Sequence, residues 1–199
     1  MDSNGDVFIN CPFDQDYNPL FDAILFTVYC CSYRPRCAYE AGSEDRLQRI
    51  CEIIEDCEYG IHDLSRTQLN EQGLPRFNMP LELGIFIGAK QYGGHHQKQK
   101  HFLILDTEKY RFHEFISDLG GLDPKEHANS PDQVILKVRS WLKQHTTEKL
   151  LGPTTIQSHY KEYLSDRDGL LSDRGLTSKD AVYSDITSIM EGWIEFFLS

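Results

Sequence analysis

Strand-like and helix-like segments alternate along the first two thirds of the chain, and this order constrains the fold more than any other feature. A short apolar run, DVFIN (6–10), leads into the turn-rich CPFDQDYNP and then the mostly apolar LFDAILFTVYCCSY (20–33), which reads as a helix. RCAYE (36–40) reads as a second, shorter strand. SEDRLQRICEIIEDC (43–57) reads as an amphipathic helix with Ser43 as N-cap, acidic residues in its first turn, and Leu47, Ile50, Ile53 and Ile54 on one face. YGIHDL (59–64) is a third strand, PLELGIFIGAK (80–90) a third helix with Pro80 in its first turn, and KHFLILD (100–106) a fourth strand. EKYRFHEFISDL (108–119) and SPDQVILKVRSWLKQH (130–145) read as further helices, with room for a short fifth strand in the GGLDPKEHAN between them. Strands separated by helices need crossover connections, which build a parallel sheet covered on both faces. The expectation is an α/β, doubly wound domain over residues 1–145.

Residues 146–199 differ in character. PTTIQSHYKEYL (153–164) and TSKDAVYSDITSIMEGWIEFFLS (177–199) read as two helices joined by the Gly/Asp/Ser-rich SDRDGLLSDRG, a C-terminal helical extension. Trp193, Phe196 and Phe197 need a partner surface, which the domain, an oligomer interface or an effector protein would supply.

Acidic residues outnumber basic ones 31 to 20, a formal net charge of −11, and no basic run offsets that field. Nucleic acid and anionic membranes are therefore poor partners, while a local basic pocket for a small phosphate ligand is compatible. The N-terminal MDSNGD is polar and acidic, and no apolar run approaches the roughly 20 residues of a membrane span, so a cytoplasmic protein is expected. The six cysteines lie mostly in apolar segments without CxxC spacing and read as reduced core thiols. GGHHQKQKH (93–101) lacks a carboxylate or cysteine at ligand spacing, so no metal and no resident cofactor are expected.

In open parallel sheets, ligands bind beyond the carboxyl ends of the strands, where loops and helix N-termini converge. Three such ends are unusual here. The loop after the first strand offers Asn10, Cys11, Pro12, Phe13 and Asp14. The end of the third strand supplies His62, Asp63, Ser65 and Arg66, and the loop before the third helix supplies PRFNM, ending in Asn78 and Met79. The third helix then carries Glu82 between Leu81 and Leu83. A first-turn acid complementing the helix dipole is the ordinary reading of such a residue, and its apolar neighbours point instead to a site.

VFINCPFD resembles the first strand and loop of Toll/interleukin-receptor (TIR) domains, and IHDLSR…NMPLELGIFIGAK…KHFLILD resembles the Asp-then-Glu-Leu-Gly core of nucleoside 2-deoxyribosyltransferases and their bacterial TIR-like relatives. The resemblance covers roughly residues 6–142. It implies a flavodoxin-like sheet and cleavage of an N-glycosidic bond in NAD or a related nucleotide by a helix glutamate, the position held here by Glu82. NAD is then a substrate, not a cofactor. It also implies a nucleotide site lined by the first-strand loop, homo-oligomeric assembly, and a role in antiphage defence. The chain departs from ordinary TIR domains in its INCPF turn and in the long RTQLNEQGLPRFN before the third helix.

Nicotinamide leaves NAD as a neutral base, so its departure requires no general acid. One carboxylate beside the ribose suffices, by stabilising the oxocarbenium-like sugar, holding its hydroxyls or attacking it. A nucleosidase or deoxyribosyltransferase would need a proton donor as well, for which Asp63 or His62 are candidates. Alternation along the strand puts these two on opposite faces. A TIR-like module that binds a nucleotide or a partner without turnover is the third reading.

Overall fold

The computed structural model describes residues 4–40, 45–67, 73–74 and 76–198. Five parallel strands, β1 (Asp6–Asn10), β2 (Arg34–Cys37), β3 (Tyr59–Asp63), β4 (His101–Asp106) and β5 (Lys125–Glu126), form one sheet in the order β2-β1-β3-β4-β5. This is the doubly wound order whose ligand crevice opens between β1 and β3.

Side-chain alternation in β1 decides which helices cover which face. Val7 and Ile9 join a large buried cluster with α1 (Asn18–Cys30) and α4 (Pro131–Leu142), while Phe8 points the other way. It packs with Ile50, Ile53 and Ile54 of α2 (Arg46–Asp56) and Phe86 of α3 (Asn78–Tyr92). Burial on both faces is why β3 is buried at all five positions.

The C-terminal helices α5 (Pro153–Asp173) and α6 (Tyr183–Leu198) lie over α1 and α4, and Ile156, Tyr160, Tyr163, Met190, Trp193 and Ile194 belong to the same core as Val7 and Ile9. This explains why α1 has almost no polar face: one side meets the sheet and the other meets helices. Tyr160 donates to the Pro19 carbonyl at 3.0 Å, Arg167 meets Asp22 at 3.0 Å, and Trp193 Nε1 donates to Asp166 at 2.9 Å.

Several local expectations differ from the structure. β2 begins two residues earlier than RCAYE, and Ala38–Glu40 form a 3-10 turn. The Gly/Asp/Ser-rich segment is no break, since α5 runs through it to Asp173 with Leu171 buried. Residues 108–119 form two short 3-10 turns, Arg111–Glu114 and Ser117–Leu119. Tyr110 adopts a left-handed backbone and Arg111 is drawn into an ion pair with Asp106 at 2.7 Å, which prevents a continuous helix. Ser43 lies outside the described residues, and α2 starts at Arg46 without an acid in its first turn. All six cysteines are free, five of them buried. Among the described residues, no helix is long and apolar enough to cross a membrane.

Gly60 sets the depth at which α3 sits. A Cβ there would stand 2.7 Å from His62 Nε2 and 2.9 Å from the Phe86 ring, both fully buried. Gly60→Ala is therefore expected to lower stability by about 1–3 kcal/mol, the usual cost of overpacking, as a reduced urea midpoint at unchanged slope.

Candidate functional site

The loop after β1 and the start of α3 meet over the crevice between β1 and β3. Between them lies a cleft of about 560 Å³. Asn10, Cys11, Pro12 and Phe13 form one wall, and Asn78, Met79 and Glu82 form the other. Arg46, Arg76 and Phe77 complete the lining. A second, apolar cleft of about 320 Å³ lies across the start of α3, between Leu83 and Ile87 on one side and Phe115 and Leu119 on the other.

Among the described residues, Glu82 is the one carboxylate lining the larger cleft. It stands in the second turn of α3, too far along for the helix dipole to explain it, and is 8% exposed. Burial pushes its carboxyl up to about 7, against the pull of the Arg46 guanidinium. At neutral pH the group therefore exchanges between acid and carboxylate, the condition of a group used in chemistry more than of a structural acid.

Asn10 fixes where Glu82 stands. Its amide nitrogen donates to the Met79 carbonyl at 2.8 Å, tying the end of β1 to the first turn of α3, and lies 3.0 Å from His62 Nδ1. Both contacts are satisfied when Nδ1 accepts and His62 is neutral. Burial pushes that imidazole down to about 3, so at neutral pH it is not an imidazolium that could act as an acid, and its remaining N–H, on Nε2, is buried without a hydrogen-bond partner. Its ring packs edge-on to Phe86 at 5.1 Å, on the α2/α3 face of the sheet. Cys11 is fully buried, and burial followed by the nearby Asp63 charge pushes its thiol well up, so it is a neutral wall and not a nucleophile.

The end of β3 is used internally. Asp63 faces α1, where Tyr17 donates to it at 2.6 Å, the Ser65 backbone N–H at 2.8 Å, and His127 Nε2 lies 3.0 Å away. His127 Nδ1 accepts from the Asn129 N–H at 3.1 Å, which leaves the proton on Nε2, close to Asp63 but off hydrogen-bond geometry. Burial alone would raise the Asp63 carboxyl, but His127, Ser65 and Tyr17 hold it below its ordinary value. Neither Asp63 nor Ser65 lines the cleft, and Ser65 Oγ is buried without a hydrogen-bond partner. Arg66 does not line it either; it stands 3.8 Å from Asp14. Asp14 receives Arg76 at 3.0 Å and the Tyr17 N–H at 3.1 Å, so it positions an arginine and opens α1 instead of facing a ligand.

Of the residues expected at the site, Asn10, Cys11, Pro12, Phe13, Asn78, Met79 and Glu82 line one cleft; Asp14, Asp63, Ser65 and Arg66 do not. Sequence reasoning missed Arg46; Arg76 and Phe77 stand in the PRFNM run it placed at this edge, without being named as binding residues. Arg46 was within reach of the strand-end rule, because it opens the helix that follows β2. Chemically, the described residues of the cleft offer one carboxylate of raised pKa, two guanidinium groups and two aromatic side chains. That set suits a ligand with an anionic group, a planar ring and a centre that becomes cationic. Among the described residues no group of three metal-ligating side chains occurs. Compared with known proteins, the chain matches no family model and no curated sequence.

Proposed function

We propose that the chain is a TIR-like enzyme that cleaves the nicotinamide-ribose bond of NAD or a close relative. The observation that carries the reading is Glu82, a nearly buried carboxyl pushed up to about 7 and, among the described residues, the sole carboxylate lining a cleft at the β1/β3 crevice, with Arg46 and Arg76 in the same lining. Ionised Glu82 stabilises the positive charge that develops on the ribose as the neutral base departs, and the arginines take the phosphates. Water, or an internal nucleophile of the remaining ADP-ribose, then captures the anomeric carbon. A proton donor for the leaving base is not required, which agrees with the neutral His62 and the internally bonded Asp63. The TIR-like assignment and a role in antiphage defence rest on the motif resemblance.

Substrate profiling tests the reading. Concentrated protein is incubated with NAD, NADP, ATP and deoxynucleosides, and the products are separated by liquid chromatography. Free nicotinamide with ADP-ribose or a cyclised product is the expected result. Retained nucleotide binding without turnover of any compound would make the chain a binding module.

The raised pKa of Glu82 also favours a second reading, because its protonated form could serve a nucleosidase or deoxyribosyltransferase as general acid. The two readings differ in sign. An ionised Glu82 gives a kcat/KM that rises with pH through about 7, falling about tenfold between pH 8 and pH 6, whereas a proton-donating Glu82 gives the opposite slope. Initial rates of base release across that range distinguish them.

Self-association is the partner side of the proposal. The outward face of α3 carries Phe77, Leu81, Gly84, Gly88 and Tyr92 with no charged residue, in a chain of formal net charge −11, so two copies can meet there without repulsion. Leu81→Lys is expected to lower the sedimentation coefficient; an unchanged monomer in both proteins would contradict this.

A further inference from the structure

A chain of aromatic rings runs from the lip of the Glu82 cleft to the last helix. Phe13, in the cleft wall, lies 4.4 Å from Tyr39 and meets Phe21 edge-on at 5.3 Å. Tyr39 stacks on Tyr183 at 5.6 Å and 28°, and Phe21 stacks on the same ring at 6.1 Å. The four rings come from the loop after β1, the start of α1, the 3-10 turn after β2 and the first residue of α6. The Tyr183 hydroxyl also lies near the Cys37 thiol at the end of β2. α6 is thereby anchored at the ligand edge of the sheet as well as in the core.

Phe13, Phe21 and Tyr183 are wholly or partly buried, but Tyr39 remains 48% exposed. Arg46, a residue of the cleft lining, donates to the carbonyl of Ala38, the residue before Tyr39, at 3.3 Å. An exposed ring held by three neighbours has already lost its rotamer freedom, which is what a stacking surface needs if binding is not to be taxed by ordering it. Tyr39 itself does not line the cleft but adjoins Phe13 of one wall, and Phe77 belongs to the lining as well.

We propose that Tyr39 is the stacking platform for a second planar ring of the ligand, away from the bond that is cleaved, and that Tyr183 of α6 is its positioning residue. The proposal deepens the nucleotide reading of the Glu82 cleft and does not depend on turnover. It specifies the ligand class: a nucleotide that retains a base next to a phosphate, with the base on Tyr39 and the phosphate toward Arg46. It also gives the C-terminal extension a task at the site, since the ring that supports Tyr39 belongs to the last helix.

The test is equilibrium binding of two probes, AMP and ribose 5-phosphate, to the full chain by calorimetry, with thermal melts to confirm folding. Base stacking on an aromatic side chain corresponds to about tenfold or more in affinity. Tyr39→Ala is therefore expected to weaken AMP about tenfold or more and to leave ribose 5-phosphate within about twofold, with Tyr39→Trp restoring AMP affinity. Tyr183→Leu should reproduce much of the loss for AMP, and Tyr183→Phe, which keeps the ring, should not. For the cleaved nucleotide, Tyr39→Ala should raise KM and leave kcat unchanged. Equal affinity of the wild type for the two probes, no AMP binding at all, or an unchanged AMP affinity in folded Tyr39→Ala overturns the platform. Unchanged AMP affinity in folded Tyr183→Leu overturns the positioning role. Loss of AMP affinity in Tyr39→Ala without NAD cleavage by the wild type would sustain this inference and defeat the glycohydrolase reading; cleavage with KM unchanged in Tyr39→Ala would do the reverse.

Discussion

Glu82→Gln is expected to abolish base release while making the protein more stable at pH 8. The two effects have one cause. The cleft holds a carboxyl that burial pushes from 4.5 to about 7, so the ionised form is disfavoured in the folded state. The folded pKa is the higher one, so between about 4.5 and 7 the folded chain binds a proton that the unfolded chain has lost. The resulting penalty is absent below 4.5, grows through that window and is complete above 7. Its full size is on the order of 3 kcal/mol for a group this buried, and the neutral, isosteric amide does not incur it. Urea unfolding at pH 8 should therefore show the variant stabilised by about 2–3 kcal/mol, with the difference nearly gone at pH 4. Turnover should fall by about 10³-fold or more, since the charge facing the developing oxocarbenium is removed. A variant that loses activity without gaining stability at pH 8 would mean that Glu82 is not ionised at a cost in the folded protein.

Asp63→Ala is expected to bring the chain close to unfolding at neutral pH. The carboxylate is fully buried and accepts from Tyr17 and the Ser65 N–H, with His127 Nε2 at 3.0 Å. Removing it leaves a buried phenol, a backbone N–H and an imidazole without their partner at once, a loss of about 3–5 kcal/mol in a domain whose total is about 5–15 kcal/mol. The pH dependence has the opposite sign to that of Glu82. The folded pKa of Asp63 lies below its ordinary value, so its contribution is fully present above about 4 and is lost as pH falls through the depressed value. Tyr17→Phe, which removes one donor and leaves the charge braced, should cost less, about 1–2 kcal/mol. Far-UV circular dichroism during urea titration at pH 7 measures both. An Asp63→Ala chain within 1 kcal/mol of wild type would show that this network does not hold the sheet edge.

The fold was legible in the sequence because strands buried on both faces and crossover helices leave plain periodic marks. β1, β3, β4, α1, α3 and α4 lie where alternation and apolar runs put them, within a few residues. Residues 108–119 failed for a tertiary reason. Tyr110, Phe112, Phe115, Ile116 and Leu119 recur at helical spacing, but Arg111 is held by Asp106 and by the Leu64 carbonyl at 2.7 Å, which wraps the segment over the end of β3. Residues 165–175 failed in the other direction: Gly169 and several short polar residues suggest a link, yet Arg167 pairs with Asp22 and Leu171 is buried, so tertiary contacts carry the helix across. Lys100, which opens the run read as the fourth strand, is fully buried and caps α2 through the carbonyls of Ile54 and Cys57.

At the site, Glu82 and the loop at residues 10–13 were visible because the strand-end rule needs only the order of elements. The orientation of His62 against Asp63 was not. Alternation separates the two but cannot say which side of β3 carries α3, and that depends on the sheet order. Arg46 was hidden for a similar reason: it is a lone basic residue outside any motif, and only the packing of α2 beside α3 brings it to the cleft. Arg76 stands in the PRFNM run placed at this edge, but its pairing with Asp14 depends on the fold.

The most direct measurement of the central claim is the rate of nicotinamide release from NAD at pH 8 by wild type and Glu82→Gln, side by side at the same high protein concentration, quantified by liquid chromatography. Release by wild type with a loss of about 10³-fold in the variant is the predicted result. Equal release by both proteins, or none by wild type at any concentration, would contradict the assignment of Glu82 as the group that carries the reaction.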